Sequence, residues 1–181
     1  MSAIGGHHSP QPASYDWLTP PFILEALGPF DCDPACPPDM PWRTAATMFT
    51  PLEDGLAQSW HGTVWLNPPY GQAPVQGPWL RRLVAHGTGF ALIFARTETE
   101  LFFECVWRAA TALLFLEGRL HFHFGAPFID AKTGRRYAVG ERAPHNGGAP
   151  SVIVAYGKAC AARLLGCRLD GRYLLLAEAA P

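Results

Sequence analysis

The chain lacks several features that define large protein classes. No apolar run is long enough to span a bilayer as a helix. The amino end has no basic stretch followed by an apolar core, the mark of a secretory signal, so the expected location is the cytoplasm. There is no excess of either charge: Lys plus Arg number 14 and Asp plus Glu 15, a formal net charge of -1. That excludes a whole-chain basic footprint and confines any phosphate contact to a local patch. Cysteine is sparse, with five residues at Cys32, Cys36, Cys105, Cys160 and Cys167. An odd count without a secretion signal argues for reduced thiols. Cys32 and Cys36 have no second pair at zinc spacing, and His121 and His123 have no evident third ligand, so no metal is expected.

What is present is apolar. Of 181 residues, 49% are hydrophobic and only 16% charged, which suits one domain with a substantial core. Glycine and proline number 18 each, so tight turns are abundant. Residues 1–14 read as a flexible leader and 15–181 as the domain. Within the domain, apolar runs alternate with helical patterns. Pro20 to Leu27 suits a short helix, with Thr19 as its cap and Gly28 as its stop. Phe30 to Asp33 reads as a short strand and 36–50 as irregular chain. Asp54-Gly55-Leu56 reads as a turn leading into a short helical piece near Trp60. Thr63 to Leu66 is β-branched and aromatic, hence a strand. Pro78 to Ala85 and Thr99 to Ala110 have helical spacing. Gly89 to Ala95, Thr111 to Leu116 and Ser151 to Tyr156 read as strands, the first buried on both faces. Leu120 to Phe124 is expected to extend or pair with the strand before it. A helix through Leu165 and a strand from Tyr173 to Leu176 close the chain. The pattern predicts an α/β layered domain, in which ligands bind beyond the carboxyl ends of strands.

Two segments sit at such ends: Asp31-Cys32-Asp33-Pro34 and Asn67-Pro68-Pro69-Tyr70. The Asn67 side-chain oxygen and the Pro68 carbonyl can accept both hydrogens of an exocyclic NH2 group. Pro68 and Pro69 stiffen the turn that carries those acceptors. Tyr70 offers a flat face for a flipped-out base. The bland alternative is a proline-rich turn. For Asp31, Asp33 and Asp54-Gly55 the alternative is ordinary turn chemistry. Between Gly118 and Pro150, Arg119, Lys132, Arg135, Arg136 and Arg142 outnumber Asp130 and Glu141 by three. This is the candidate DNA-recognition segment, with a solvated loop as the alternative. Arg96 and Thr97, after a buried strand, could contact a phosphate or a base; pairing of Arg96 with Glu98 or Glu100 is the alternative.

An ordered set of pieces resembles the small phage-type DNA N6-adenine methyltransferases. The set is Trp17-Leu18-Thr19-Pro20, Phe30-Asp31-Cys32-Asp33-Pro34-Ala35, Asp54-Gly55-Leu56, Asn67-Pro68-Pro69-Tyr70-Gly71, Ala95-Arg96-Thr97-Glu98-Thr99 and Gly118-Arg119-Leu120. It covers about Trp17 to Gly157. The resemblance implies a Rossmann-like methyltransferase fold, a single compact domain with a mostly parallel twisted sheet and a DNA-recognition insertion at 118–150. It implies S-adenosylmethionine as methyl donor and N6 of adenine in double-stranded DNA, reached by base flipping, as acceptor. On it, Trp17, Thr19 and Pro20 close over the methionine part of the donor. Asp33, with Asp31, Pro34 and Ala35 beside it, meets the donor's ammonium group. Asp54 accepts from its adenine amino group, and Asn67 to Tyr70 form the catalytic motif. Where larger methyltransferases carry a glycine-rich loop, this chain has Ala35-Cys36-Pro37-Pro38. Small size makes a homodimer sharing one DNA site an attractive expectation. The tetrapeptide is also compatible with RNA or protein-glutamine methylation. A non-catalytic nucleic-acid-binding module on the same fold is the alternative of another class.

Overall fold

The computed structural model describes residues 17–176. The leader expected over residues 1–14 lies outside them. In chain order the elements are β1 (Trp17–Leu18), α1 (Pro21–Leu27), β2 (Cys32–Asp33), β3 (Thr47–Met48), β4 (Val64–Leu66), α2 (Ala73–His86), β5 (Gly89–Phe94) and α3 (Glu100–Phe102). The last runs directly into a π-helical segment, Phe103–Trp107. There follow β6 (Ala112–Leu116), β7 (His123–Phe124), β8 (Phe128–Ile129), β9 (Arg136–Tyr137), β10 (Ser151–Tyr156), α4 (Lys158–Gly166) and β11 (Gly171–Leu175). No helix among the described residues is long and apolar enough to cross a membrane.

Seven strands form one sheet in the order β11-β6-β10-β5-β4-β2-β3. β3, β2, β4 and β5 are joined by parallel ladders, whereas β10 runs against both β5 and β6, and β11 against β6. The expected mostly parallel sheet is therefore corrected to a partly parallel one. An apolar run such as Ser151–Tyr156 records burial on both faces but not direction. Direction is set by the connection, and the long stretch between β6 and β10 brings the chain back from the opposite side.

Alternation along the central strands divides the core. Phe90 and Leu92 of β5 and Ile153 and Ala155 of β10 pack with Ile23, Leu24 and Leu27 of α1 and Cys160 and Leu164 of α4. Ala91, Ile93, Val152 and Val154 face the other way, onto Leu80 and Leu83 of α2 and Leu101, Phe102 and Val106. Helices thus cover both faces of the sheet, each buried aliphatic side chain contributing about 1.5–3 kcal/mol.

Several local expectations change. Pro20, not Thr19, occupies the cap of α1 and makes no side-chain capping bond. Pro20 fixes the extended backbone there, and Thr19 turns inward, 1% exposed. The strand expected from Phe30 narrows to Cys32–Asp33, and the irregular stretch contains β3. α2 starts at Ala73, with a proline in its first turn and Pro78 inside. A first-turn proline has no helical bond to lose, so the helix begins before the proline that looked like its start. β7 pairs with β1 rather than with β6. β8 and β9 make a separate antiparallel pair within the turn-rich segment.

Candidate active site

β2, β4 and β5 are mutually parallel, so Asp33, Asn67 and Phe94 arrive at one edge of the sheet. Asp33 shares the facing of Trp65 and Phe90, the side covered by α1 and α4, because its neighbour Cys32 belongs to the opposite cluster. The Asp33 carboxylate is 3% exposed. It accepts the Thr44 hydroxyl on one oxygen and the Ala35 N–H, at 3.1 Å, on the other. Burial pushes its carboxyl up to about 6, against the lowering effect of those two donors. It is therefore a buried acid with no cation among the described residues to neutralise it.

Asn67 follows β4 directly. Its amide nitrogen donates to the backbone carbonyl of Trp17. A carbonyl can only accept, so this bond decides which way the amide faces. The opposite arm, Oδ1, is buried and has no hydrogen-bond partner among the described residues. A buried amide oxygen without a donor costs about 1–3 kcal/mol. The side chain is thus held by one arm while its acceptor arm is left unpaired.

Asn67 lines a narrow cleft of about 10 Å³ together with Leu18, Thr19, Asp33, Ala35, Met40, Thr44 and Trp65, among others. β1 forms one wall, with the Trp17 ring against Phe122 and Phe124 at 6.4 and 5.5 Å. Residues 37–44 form the other. They lean on the 118–150 segment, where Trp42 meets the His123 ring at 5.3 Å.

Of the remaining expected residues, Pro20 and Pro34 are buried directly after the cleft residues Thr19 and Asp33 in sequence. Asp54 is exposed, in a left-handed conformation with φ of 51°. Its loop reaches the end of β2 through Gly55: a Cβ there would lie 1.8 Å from the Pro34 carbonyl oxygen, so only glycine permits the approach. Asp31 is not brought to the cleft. It lies at the other end of β2, exposed, and accepts the Thr63 N–H at 2.6 Å.

Tyr70 departs from its expected open face. It is 7% exposed, its ring lies 4.7 Å from Phe94 and 5.3 Å from Phe122, and its hydroxyl donates to the Leu92 carbonyl at 3.4 Å. Burial raises its phenol well above the ordinary range. The turn after β4 drops the ring onto the core face, where neighbouring aromatics fill its surroundings.

The 118–150 segment folds back on itself. Phe124, Tyr137 and Ala143 form a small core of their own, joined by Trp17 and Phe128. His121 and His123 each use Nδ1 on a backbone carbonyl, of Ala143 and Gly140 respectively. Arg135 pairs with Glu141 at 2.9 Å and lies over the Tyr137 ring at 4.6 Å. Its charge is largely satisfied locally. Arg119, Lys132, Arg136 and Arg142 are exposed. Arg96 is exposed after β5, and no ion pair joins it to Glu98 or Glu100 among the described residues. Thr97 accepts the Trp107 indole N–H at 3.1 Å through its carbonyl.

Thr44, Met40, Trp65, Phe94, Phe122 and Ser151 are part of this region and were not singled out by the sequence. Thr44 is eleven residues from its carboxylate partner, and only the fold joins them. No group of three or more His, Cys, Asp or Glu side chains placed to hold a metal occurs among the described residues. Compared with protein-family models, with curated proteins and with solved structures, the chain matches none.

Proposed function

We propose that the chain is an S-adenosylmethionine-dependent methyltransferase acting on N6 of adenine in double-stranded DNA, through a Rossmann-like arrangement of its partly parallel sheet. One observation carries the reading. Asn67 Oδ1 is buried without a donor among the described residues, while its amide nitrogen is anchored to Trp17 of the strand that forms one cleft wall. An unpaired acceptor held in place is what an exocyclic NH2 group requires.

The donor set fits the methyl donor in chemistry. Asp33, uncompensated by any cation, suits an ammonium or sulfonium group, with Thr19 and Thr44 beside it. The cavity volume of about 10 Å³ is far below the roughly 300 Å³ at which ligand pockets begin. Entry therefore requires the irregular wall at 37–44 to move outward. When bound, S-adenosylmethionine supplies an electrophilic methyl group.

The chain's own residues do the rest. Asn67 Oδ1 accepts one amine hydrogen, and the turn at Pro68 offers a carbonyl for the other. These bonds favour a pyramidal nitrogen and localise its lone pair. They strengthen as positive charge develops on nitrogen, so they act on the transition state more than on the ground state. The anchored amide needs no reorientation during the reaction. Arg96, Arg119, Lys132, Arg136 and Arg142 supply positive charge for the phosphates, with Arg135 set aside for Glu141. A two-fold assembly on one duplex belongs to the same reading, and sedimentation on DNA tests it.

Tritiated-methyl transfer to duplex DNA, RNA and protein tests the activity directly. Duplex DNA is the expected acceptor, and Asn67→Ala is expected to lose on the order of 10²–10³ in rate. Transfer to RNA or protein alone, or full activity in the variant, refutes the assignment.

A further inference from the structure

Ser151 is a further buried polar side chain at this edge without a partner among the described residues. Its hydroxyl is 1% exposed and unbonded among the described residues. Ser151 opens β10 and stands directly opposite Phe94 in the ladder, which puts the two side chains on the same face as close neighbours. That face is the one carrying Ile153 and Ala155, and it looks onto Tyr70, Phe94 and Phe122. The Phe94 ring lies 4.7 Å from Tyr70 and 6.4 Å from Phe122. Gly147 closes the back: a Cβ there would stand 3.3 Å from both phenyl rings.

The carboxyl edge therefore carries a row across four adjacent strands. Asp33 ends β2, Asn67 and Tyr70 follow β4, Phe94 ends β5 and Ser151 begins β10. The charged end lies by β2 and the aromatic end by β5 and β10, with the Asn67 acceptor between them. A buried hydroxyl beside the Phe94 ring is poorly placed unless something polar completes it, since leaving it unbonded costs stability.

We propose that Ser151 is a specificity-determining residue that donates a hydrogen bond to a ring nitrogen of the target base, held edge-on in the Tyr70–Phe94–Phe122 cluster after those rings part. The inference rests on the methyltransferase reading and adds to it a group that distinguishes heteroaromatic rings from other planar amines. A site built to bond a polar ring atom rejects an analogue that lacks it, because the hydroxyl is then left unpaired.

The test combines Ser151→Ala with duplex substrates in which the target adenine is replaced by its 1-deaza, 3-deaza or 7-deaza analogue. In the wild-type protein one analogue is expected to lower kcat/KM on the order of tenfold, the cost of one hydrogen bond. In Ser151→Ala that cost disappears, because the partner is already absent. Thermal melting of the ligand-free variant is expected at the wild-type temperature or above. Equal deaza costs in both proteins overturn the Ser151 assignment while leaving methyl transfer standing. A lower melting temperature for Ser151→Ala also overturns it, since the hydroxyl then supports the fold. Failure of wild-type protein to methylate any duplex removes the methyltransferase reading and this inference with it.

Discussion

The two edges of the parallel half of the sheet are built on opposite terms. At the amino edge, polar groups are paired. Asp31 accepts the Thr63 N–H at 2.6 Å, and a His86 ring nitrogen meets the Gly62 carbonyl at 2.8 Å. At the carboxyl edge several are not. The buried side-chain atoms without a partner among the described residues are Trp42 Nε1, Trp65 Nε1, Asn67 Oδ1 and Ser151 Oγ. Trp65 and Asn67 line the cleft, Trp42 belongs to its outer wall, and Ser151 stands opposite Phe94 at the same edge. Asp31 and Asp33 show the contrast two residues apart: one is exposed and bonded to the residue before β4, the other buried and raised to about 6. Unsatisfied polarity gathered at one edge is a local exception to the pairing of buried polar groups, of the kind a bound ligand can complete.

The comparison is broken most severely at Asn67. Asn67→Ala is expected to lower methyl transfer on the order of 10²–10³-fold. Its melting temperature should stay near that of the wild type, since the lost Trp17 bond is offset by removal of an unpaired oxygen. A large drop in melting temperature with little loss of transfer would place Asn67 with the amino-edge residues.

Asp33→Asn comes next. A cationic donor binds the carboxylate form, so wild-type affinity should rise with pH up to about 6 and level off above it. Calorimetry of S-adenosylmethionine binding should show that rise in the wild type. In Asp33→Asn the pH dependence should vanish and affinity at pH 8 should fall roughly tenfold, the scale of one charge-assisted bond. The stability sign runs the other way. The folded carboxyl titrates at about 6 against an ordinary 3.8, so the fold holds a proton that the unfolded chain has released between those values. Wild-type stability therefore falls as pH rises through that window. A variant curve with the same slope would contradict the burial of this charge.

Asp31→Ala should do the reverse of Asp33→Asn. It removes a bond to the first residue before β4 and should cost about 1 kcal/mol in denaturant unfolding, with donor affinity unchanged. Weakened donor binding would bring Asp31 into the site. The smallest expected effect is at the outer surface. Arg142→Ala should weaken duplex binding evenly across sequences and reduce the salt slope by about one, whereas Arg135→Ala should change the slope less, its charge being paired with Glu141. Equal slopes for both would erase that distinction.

The sequence showed the helix-and-strand alternation, the buried strands and the tetrapeptide's position because each rests on local periodicity. Asn67 could be named because an amide beside two prolines is informative without a fold. Its orientation could not, since the Trp17 carbonyl that decides it is fifty residues away. The face of Tyr70 was misjudged for the same reason. Whether a ring after β4 meets solvent or core depends on Phe94 and Phe122, which arrive from other elements. The direction of β10 was equally hidden, because an apolar run reads the same both ways. Asp33 was legible as an acid near a strand end, but its Thr44 partner was not.

The bond from Asn67 to residue 17 has one further consequence. Its acceptor is a peptide oxygen, which every amino acid at that position possesses. Replacement of the indole alters the wall of the cleft but leaves the anchor in place. Inheritance can therefore rewrite position 17 freely without loosening the amide, and only a shift of the main chain can release it.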